Sequence, residues 1–405
     1  MSETALDLSR KAAEVFAARG IEQPRLDAEL LLAHTLGVSR LQLYLQHDRP
    51  IADEELMRFR ALVRRRLKRE PVQYLVGTAH FRELTLAVDA RVLIPRPETE
   101  ELVGHVLEWA WARVGGRPGK ERRAAHLEWT SGGVDERTIS GASTSAAVLR
   151  DSGSPADGGT AGRRDGEPGG AGTVAPEGSR QSAAELPAHA AEIESVAARD
   201  AADAQIARPL VHSSTPPLLP LGAQPLTALD LGTGSGAIAL SLLHEGPFAR
   251  VVATDASAEA LEVARANAAR LGLSERVEFR LGGLWEAVAP DERFDVVASN
   301  PPYVAESERA GLAPELDWEP AGALFAGAAG FDVLEPLAAG APAHLRPGGL
   351  LALEIGAAQG EGMRQRLAAD AFVDVRVVRD LAGRDRVVLA SSNSLAPERK
   401  RGEHA

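Results

Sequence analysis

Asn300, Pro301, Pro302 and Tyr303 follow Phe294-Asp295-Val296-Val297-Ala298-Ser299, an apolar run of strand length. An asparagine amide offers one acceptor and two donors, and the peptide carbonyl before Pro302 has no competing N–H beside it. Together they can hold a planar NH2 group by both hydrogens. Such a nitrogen is a poor nucleophile because its lone pair is delocalised. Hydrogen bonds that draw it towards tetrahedral geometry and aim it at a methyl sulfonium lower the barrier, with no strong base required. Once methylated, the nitrogen is cationic and loses its proton readily. The competing reading, an ordinary Pro-Pro turn after a strand, loses weight because ligand-binding signals fall on the same sheet edge.

Those signals lie upstream. A strand ending in Asp230-Leu231 runs through Gly232-Thr233-Gly234-Ser235-Gly236 into the apolar helix Ala237-Ile238-Ala239-Leu240. Glycines let the backbone turn sharply and approach a ligand closely, and free amides at a helix start face it. The next strand, Arg250-Val251-Val252-Ala253-Thr254, ends at Asp255. This acid stands about 20 residues beyond the glycines, the spacing at which a carboxylate accepts hydrogen bonds from ribose hydroxyls. A nucleoside ligand follows.

The elements that must position these residues are legible in the periodicity. Strands are predicted over Thr227–Leu231, Arg250–Thr254, Val277–Leu281, Phe294–Ser299, Gly349–Ile355, Val373–Val378 and Arg386–Ala390. Helices are predicted over Ala237–His244, Ala258–Leu271, Phe331–Leu345 and Gln359–Ala369. The fold class is α/β, a doubly wound, mostly parallel sheet with ligands at the carboxyl ends of the strands. The last two strands are joined too briefly for a helical crossover and should form an antiparallel hairpin. Ahead of this, helical spacing from Leu6 to about Val76 marks a small helical domain. One of its helices is basic through Arg58, Arg60, Arg64, Arg65, Arg66, Lys68 and Arg69. This is read first as a solvated face and second as a contact for an acidic partner or ribosomal RNA. Alternation from Phe81 to Ile94 predicts a strand pair, and a helix is predicted over Glu98–Val114.

The expected organisation is therefore residues 1–78 helical, 79–114 strand pair and connecting helix, 115–222 insert, 223–392 sheet domain and 393–405 tail. The insert has Gly-, Pro- and Ser-rich segments such as Gly166-Glu167-Pro168-Gly169-Gly170 and too few apolar side chains to offset ordering entropy. It and the tail are read as disordered. With 405 residues and a net charge of −12, a broad phosphate-gripping face is not expected. Cysteine is absent, which removes disulfides, thiolate nucleophiles and thiolate metal sites. No metal ligands are visible elsewhere. With neither a secretory signal nor an apolar run of about 18 residues, a soluble cytoplasmic protein is expected.

At this point a family resemblance emerges. The glycine loop, the Asp255 strand end and Asn-Pro-Pro-Tyr resemble class I (Rossmann-like) S-adenosylmethionine methyltransferases that modify planar nitrogen. Pro71-Val72-Gln73-Tyr74-Leu75, Val92 to Glu100 through Pro95-Arg96-Pro97, Glu354-Ile355-Gly356 and Asp380 to Arg386 resemble the HemK/PrmC family of peptide chain release factor glutamine methyltransferases. The match covers the chain except the insert and the last dozen residues. The resemblance implies methyl transfer from S-adenosyl-L-methionine to the side-chain amide nitrogen of the glutamine in the release factor Gly-Gly-Gln loop. It further implies that Gly232, Thr233, Gly234, Ser235 and Gly236 surround the methionine part of the cofactor and that Asp255 binds its ribose. Asn300 would serve both cofactor and substrate, while Pro301, Pro302 and Tyr303 complete the glutamine slot. The helical domain would help dock the release factor. Pro95 to Glu100 favours release factors over ribosomal proteins as the substrate.

Two segments depart from the family pattern. Gly283 stands where an adenine-binding acid is expected and Leu284, still counted in the cofactor pocket, where an aromatic often lies. Ala329-Gly330 replaces an Asp-Gly. The rival reading is an adenine-N6 DNA or RNA methyltransferase, whose target base would be flipped into the same slot. The acidic total charge argues against it, so nucleic acid is not expected as a substrate. A non-catalytic nucleoside-binding adaptor would need no amide slot.

Overall fold

In the computed structural model the described residues are 4–117, 219–220, 222–369 and 372–393. The expected insert and tail lie almost wholly outside them.

Seven strands form one sheet: β3 (Leu226–Leu231), β4 (Phe248–Asp255), β5 (Val277–Leu281), β6 (Phe294–Ser299), β7 (Leu345–Glu354), β8 (Phe372–Arg379) and β9 (Asp385–Ser392). Their order is β5-β4-β3-β6-β7-β9-β8. All pairs are parallel except those made by β9, which runs antiparallel to β7 on one side and β8 on the other. Every strand read from periodicity is present, with ends shifted by a few residues at most.

The apolar runs are continuous because both faces are covered. Successive strand residues point to opposite sides. Thus Ala228, Val296 and Ala352 join a core with α6 (Pro97–Arg113), α7 (Ala237–Glu245) and α8 (Ala258–Leu271). Beyond the short α9 (Ala321–Leu324), Leu229, Val297 and Leu351 join the opposite core with α10 (Leu334–His344) and α11 (Gly360–Ala369). The sheet reverses winding between β3 and β6, which brings the carboxyl ends of those strands together.

The helical domain comprises α1 (Ala5–Ala18), α2 (Pro24–Leu36), α3 (Arg40–Leu45), α4 (Asp53–Arg66) and α5 (Val72–Val76), closed over Phe16, Leu31, Leu32 and Phe59. Thr4 and Asp7 cap α1 reciprocally, and Gly37 ends α2 in the left-handed conformation. The solvated-face reading of the basic run holds for Arg58, Arg60, Arg64, Arg65 and Lys68, which are exposed, and fails for Arg66. Arg66 is buried and paired with Asp27 at 2.7 Å and Glu315 at 3.0 Å, while Arg69 also reaches Glu315 and Arg65 binds Glu70.

The predicted strand pair is shorter than its alternation suggests: β1 (Thr78–Phe81) and β2 (Leu84–Ala87) form a hairpin. Val88, Val92 and Ile94 continue the apolar pattern outside any strand because they pack on Ala260 and Val263 of α8. A turn braced by Asp89, whose carboxylate accepts from the Arg91 N–H, bends the chain there.

Candidate active site

The glycine loop opens the end of β3. Gly232, Gly234 and Gly236 all have positive φ, at 71°, 55° and 86°. A Cβ placed on Gly232 or Gly234 would meet nothing within 4 Å, so this backbone faces open space. The loop is fixed from the next strand: the Gly232 and Thr233 N–H groups donate to the Thr254 carbonyl, and the Gly234 N–H to Asp255 Oδ2 at 2.8 Å. Asp255 Oδ1 accepts from the Ser257 N–H. The carboxylate keeps spare lone pairs for hydroxyl donors and is only partly covered.

Asp230, beneath the loop, is fully buried. Its Oδ2 accepts from the Thr233 hydroxyl and the Ala239 N–H, while Oδ1 has no partner in the protein. Burial pushes its pKa up to about 7. An unpartnered buried acceptor next to an open glycine cradle suits a ligand carrying a cationic amine, as the methionine part of S-adenosylmethionine does.

The loop after β5 accounts for one of the two departures. Gly283 has ordinary backbone angles, and a Cβ there would stand 3.7 Å from Glu286 Oε2, which accepts from the Gly283 N–H at 3.1 Å. A carboxylate therefore does stand beside this position, supplied one turn later. Leu284 adopts φ 47° and packs on the α10 side core. Trp285 is engaged by α10: its indole N–H donates to the Pro336 carbonyl and its ring stacks on His344 at 4.8 Å.

At the end of β6 the second half of the site is built from distant segments. Asn300 Nδ2 donates to Thr99 Oγ1 at 2.9 Å, and the Thr99 hydroxyl donates to Glu354 Oε2 at 2.6 Å. The Tyr303 hydroxyl donates to Glu354 Oε1 at 3.1 Å. Thr99 lies in the first turn of α6 and Glu354 ends β7; both are buried. Burial pushes Glu354 up to about 7, against the hydrogen bonds that favour its charged form. Burial, helped by the Glu354 charge, raises the Tyr303 phenol far above its ordinary range, so it is no base. Gly330 has φ 76°, and a Cβ there would fall 2.2 Å from the Tyr303 carbonyl oxygen. The glycine of the altered Ala329-Gly330 pair is thus the half the packing needs. Gln359 ties three segments together, donating to the Tyr303 and Gly330 carbonyls and accepting from the Gly356 N–H.

A cavity of about 40 Å³ opens beside Asn300, Pro301 and Tyr303, flanked by Leu93 and Arg96. The chain beyond Tyr303 forms its wall, with Glu319 accepting from Arg96 at 2.5 Å and from the Ile94 N–H at 3.0 Å. A larger hollow of about 310 Å³ around Glu29 in the helical domain has less to offer, since Glu29 is already bonded to Arg25, Arg40 and Tyr44.

A switch-point glycine cradle with an acid on the neighbouring strand, joined to an Asn-Pro-Pro-Tyr slot one strand over, defines a class I S-adenosylmethionine-dependent methyltransferase. Residues 7–77 match the family model of the PrmC N-terminal domain, and residues 218–316 match that of the methyltransferase small domain. The release factor glutamine methyltransferase of Chlorobaculum tepidum is 34% identical over 385 residues, covering 94% of this chain and 95% of its own length. That of Cereibacter sphaeroides is 33% identical, covering 95% and 98%. That of Xylella fastidiosa (strain Temecula1) is also 33% identical, covering 90% and 92%. The chain belongs to the release factor glutamine methyltransferase family.

Proposed function

We propose that Asn300 and the Pro301 carbonyl hold the side-chain amide of a release factor glutamine while its nitrogen is methylated. S-adenosylmethionine supplies an electrophilic methyl group on a sulfonium. Gly232 to Gly236 and Asp230 would hold its amino acid part, Asp255 would bind its ribose, and Leu284 would border its base. Asn300 Oδ1 and the Pro301 carbonyl accept the two amide hydrogens, localising the lone pair on nitrogen and aiming it at the methyl carbon. The N–C bond forms as the S–C bond breaks. The cationic nitrogen then releases a proton to water, since Tyr303 and Glu354 are bonded to each other. The observation that carries this reading is the fixed Asn300 amide beside a small cavity at the edge that also holds the glycine cradle.

The helical domain, which we assign to residues 1–78, docks the release factor. Residues 79–114 join it to the sheet domain, assigned to 223–392. The insert of 115–222 and the tail of 393–405 are outside the catalytic unit in this reading. The net charge of −12 favours a protein acceptor over DNA or RNA. No helix among the described residues is long and apolar enough to cross a membrane. The cytoplasm, where translation takes place, is the proposed location. Peptide mass spectrometry of release factor incubated with the enzyme and S-adenosylmethionine tests the assignment. One added methyl on the loop glutamine is expected; methyl on another residue would overturn it.

A further inference from the structure

We propose that Thr99, held in place by the buried Glu354, is a positioning residue that fixes which way the Asn300 amide faces and so presents its oxygen to the acceptor nitrogen. The inference rests on the reading of Asn300 given above. An asparagine amide has two nearly isosteric orientations, and only one serves an NH2 acceptor. The Thr99 hydroxyl has a single proton, directed at Glu354 Oε2 over 2.6 Å. Only lone pairs then face Asn300, so Nδ2 must approach Thr99 and Oδ1 must turn away. The reversed amide would set two acceptors about 2.9 Å apart and forfeit the hydrogen bond. In its ionised form Glu354 cannot release Thr99 cheaply, because the carboxylate is wholly buried and its other oxygen already accepts from Tyr303. The three groups come from α6, the turn after β6 and the end of β7, and with Tyr303 they form one chain, buried at Thr99 and Glu354, that ends at the slot.

Thr99 is buried and does not line the cavity beside Asn300, so its effect should reach kcat through Asn300 alone. Thr99→Val should lower kcat about tenfold and change the KM for release factor by less than about threefold. Thr99→Ala, which places no methyl against the carboxylate, should do the same if the valine variant folds poorly. Thr99→Ser should restore kcat to within about threefold of the parent. In an Asn300→Ala background, Thr99→Val should have no further effect, because the amide it orients is gone. Unchanged kcat in both Thr99→Val and Thr99→Ala would overturn the inference. So would a Thr99 effect that persists undiminished without Asn300 while Asn300→Ala itself is crippled. Normal turnover by Asn300→Ala would instead sink the reading of the slot, and this inference with it.

Discussion

The two halves of the active edge are built by different means. Around β3 and β4 the backbone does the shaping: three positive-φ glycines, an open cradle and an acid that braces the loop from the next strand. Around β6 and β7 the shaping is done by side chains. Asn300, Thr99, Glu354 and Gln359 come from separate elements and meet in a largely buried network. A cradle made of backbone can bind a cofactor with little side-chain chemistry. Orienting a weak nucleophile needs groups held at fixed angles. Changes on the first edge should therefore appear in cofactor affinity, and changes on the second in turnover.

The sharpest break falls on the second edge. Asn300→Ala should cut turnover by roughly 100-fold or more, as for loss of one preorganised transition-state contact, with S-adenosylhomocysteine binding changed far less. Steady-state kinetics beside calorimetric titration separates the two. Near-normal turnover in a folded variant would remove Asn300 from the mechanism.

Glu354 supplies a pH test of the same network. Its pKa in the fold, about 7, stands above its ordinary 4.5. An acid with a raised pKa binds protons more readily folded than unfolded. Its contribution to stability is full below 4.5 and is lost as pH rises to about 7. Glu354→Gln should flatten this decline by something on the order of 1 to 3 kcal/mol, read by denaturant melts at pH 4.5 and pH 8. Asp230, also raised to about 7, leaves part of the slope in place. An unaltered slope would show that the fold does not raise the pKa of Glu354.

On the first edge Asp255→Ala should weaken S-adenosylhomocysteine about tenfold while kcat at saturating cofactor stays within about threefold, the loss of hydrogen bonds to a charged acceptor. A collapse of kcat with affinity intact would contradict the division between the edges. The smallest effect is expected far from both. Gly115 and Pro220 lie side by side, a Cβ on the former standing 4.0 Å from the latter's Cγ. Replacing residues 118–218 by a short Gly-Ser linker should therefore leave kcat within about twofold. A folded but inactive product would give the insert a role in catalysis.

The same contrast explains what the sequence revealed. The strand runs, the glycine loop, Asp255 and Asn-Pro-Pro-Tyr are local patterns, and each is legible without knowing the fold. Thr99 is hidden because its partners, Asn300 and Glu354, are 201 and 255 residues away in the chain. Gln359 read as the first residue of a helix, whereas its side chain bonds three backbone groups across the slot. Among the α4 arginines only Arg66 departs from a solvated face, because its partners Asp27 and Glu315 lie 39 and 249 residues away in the chain. Alternation at Val88 to Ile94 misled for a related reason: apolar contact with α8 imitates the pattern of a strand. Glu286 could not be assigned either, since only the turn after β5 brings its carboxylate back to Gly283.

The central claim, that this slot methylates a glutamine amide of a release factor, is tested most directly by labelled methyl transfer from S-adenosylmethionine to competing acceptors. Purified release factor, a variant with Ala in place of its loop glutamine, duplex DNA and RNA would be offered in parallel. The account predicts label in intact release factor and none in the other three. Label in DNA or RNA, with release factor unlabelled, would contradict it.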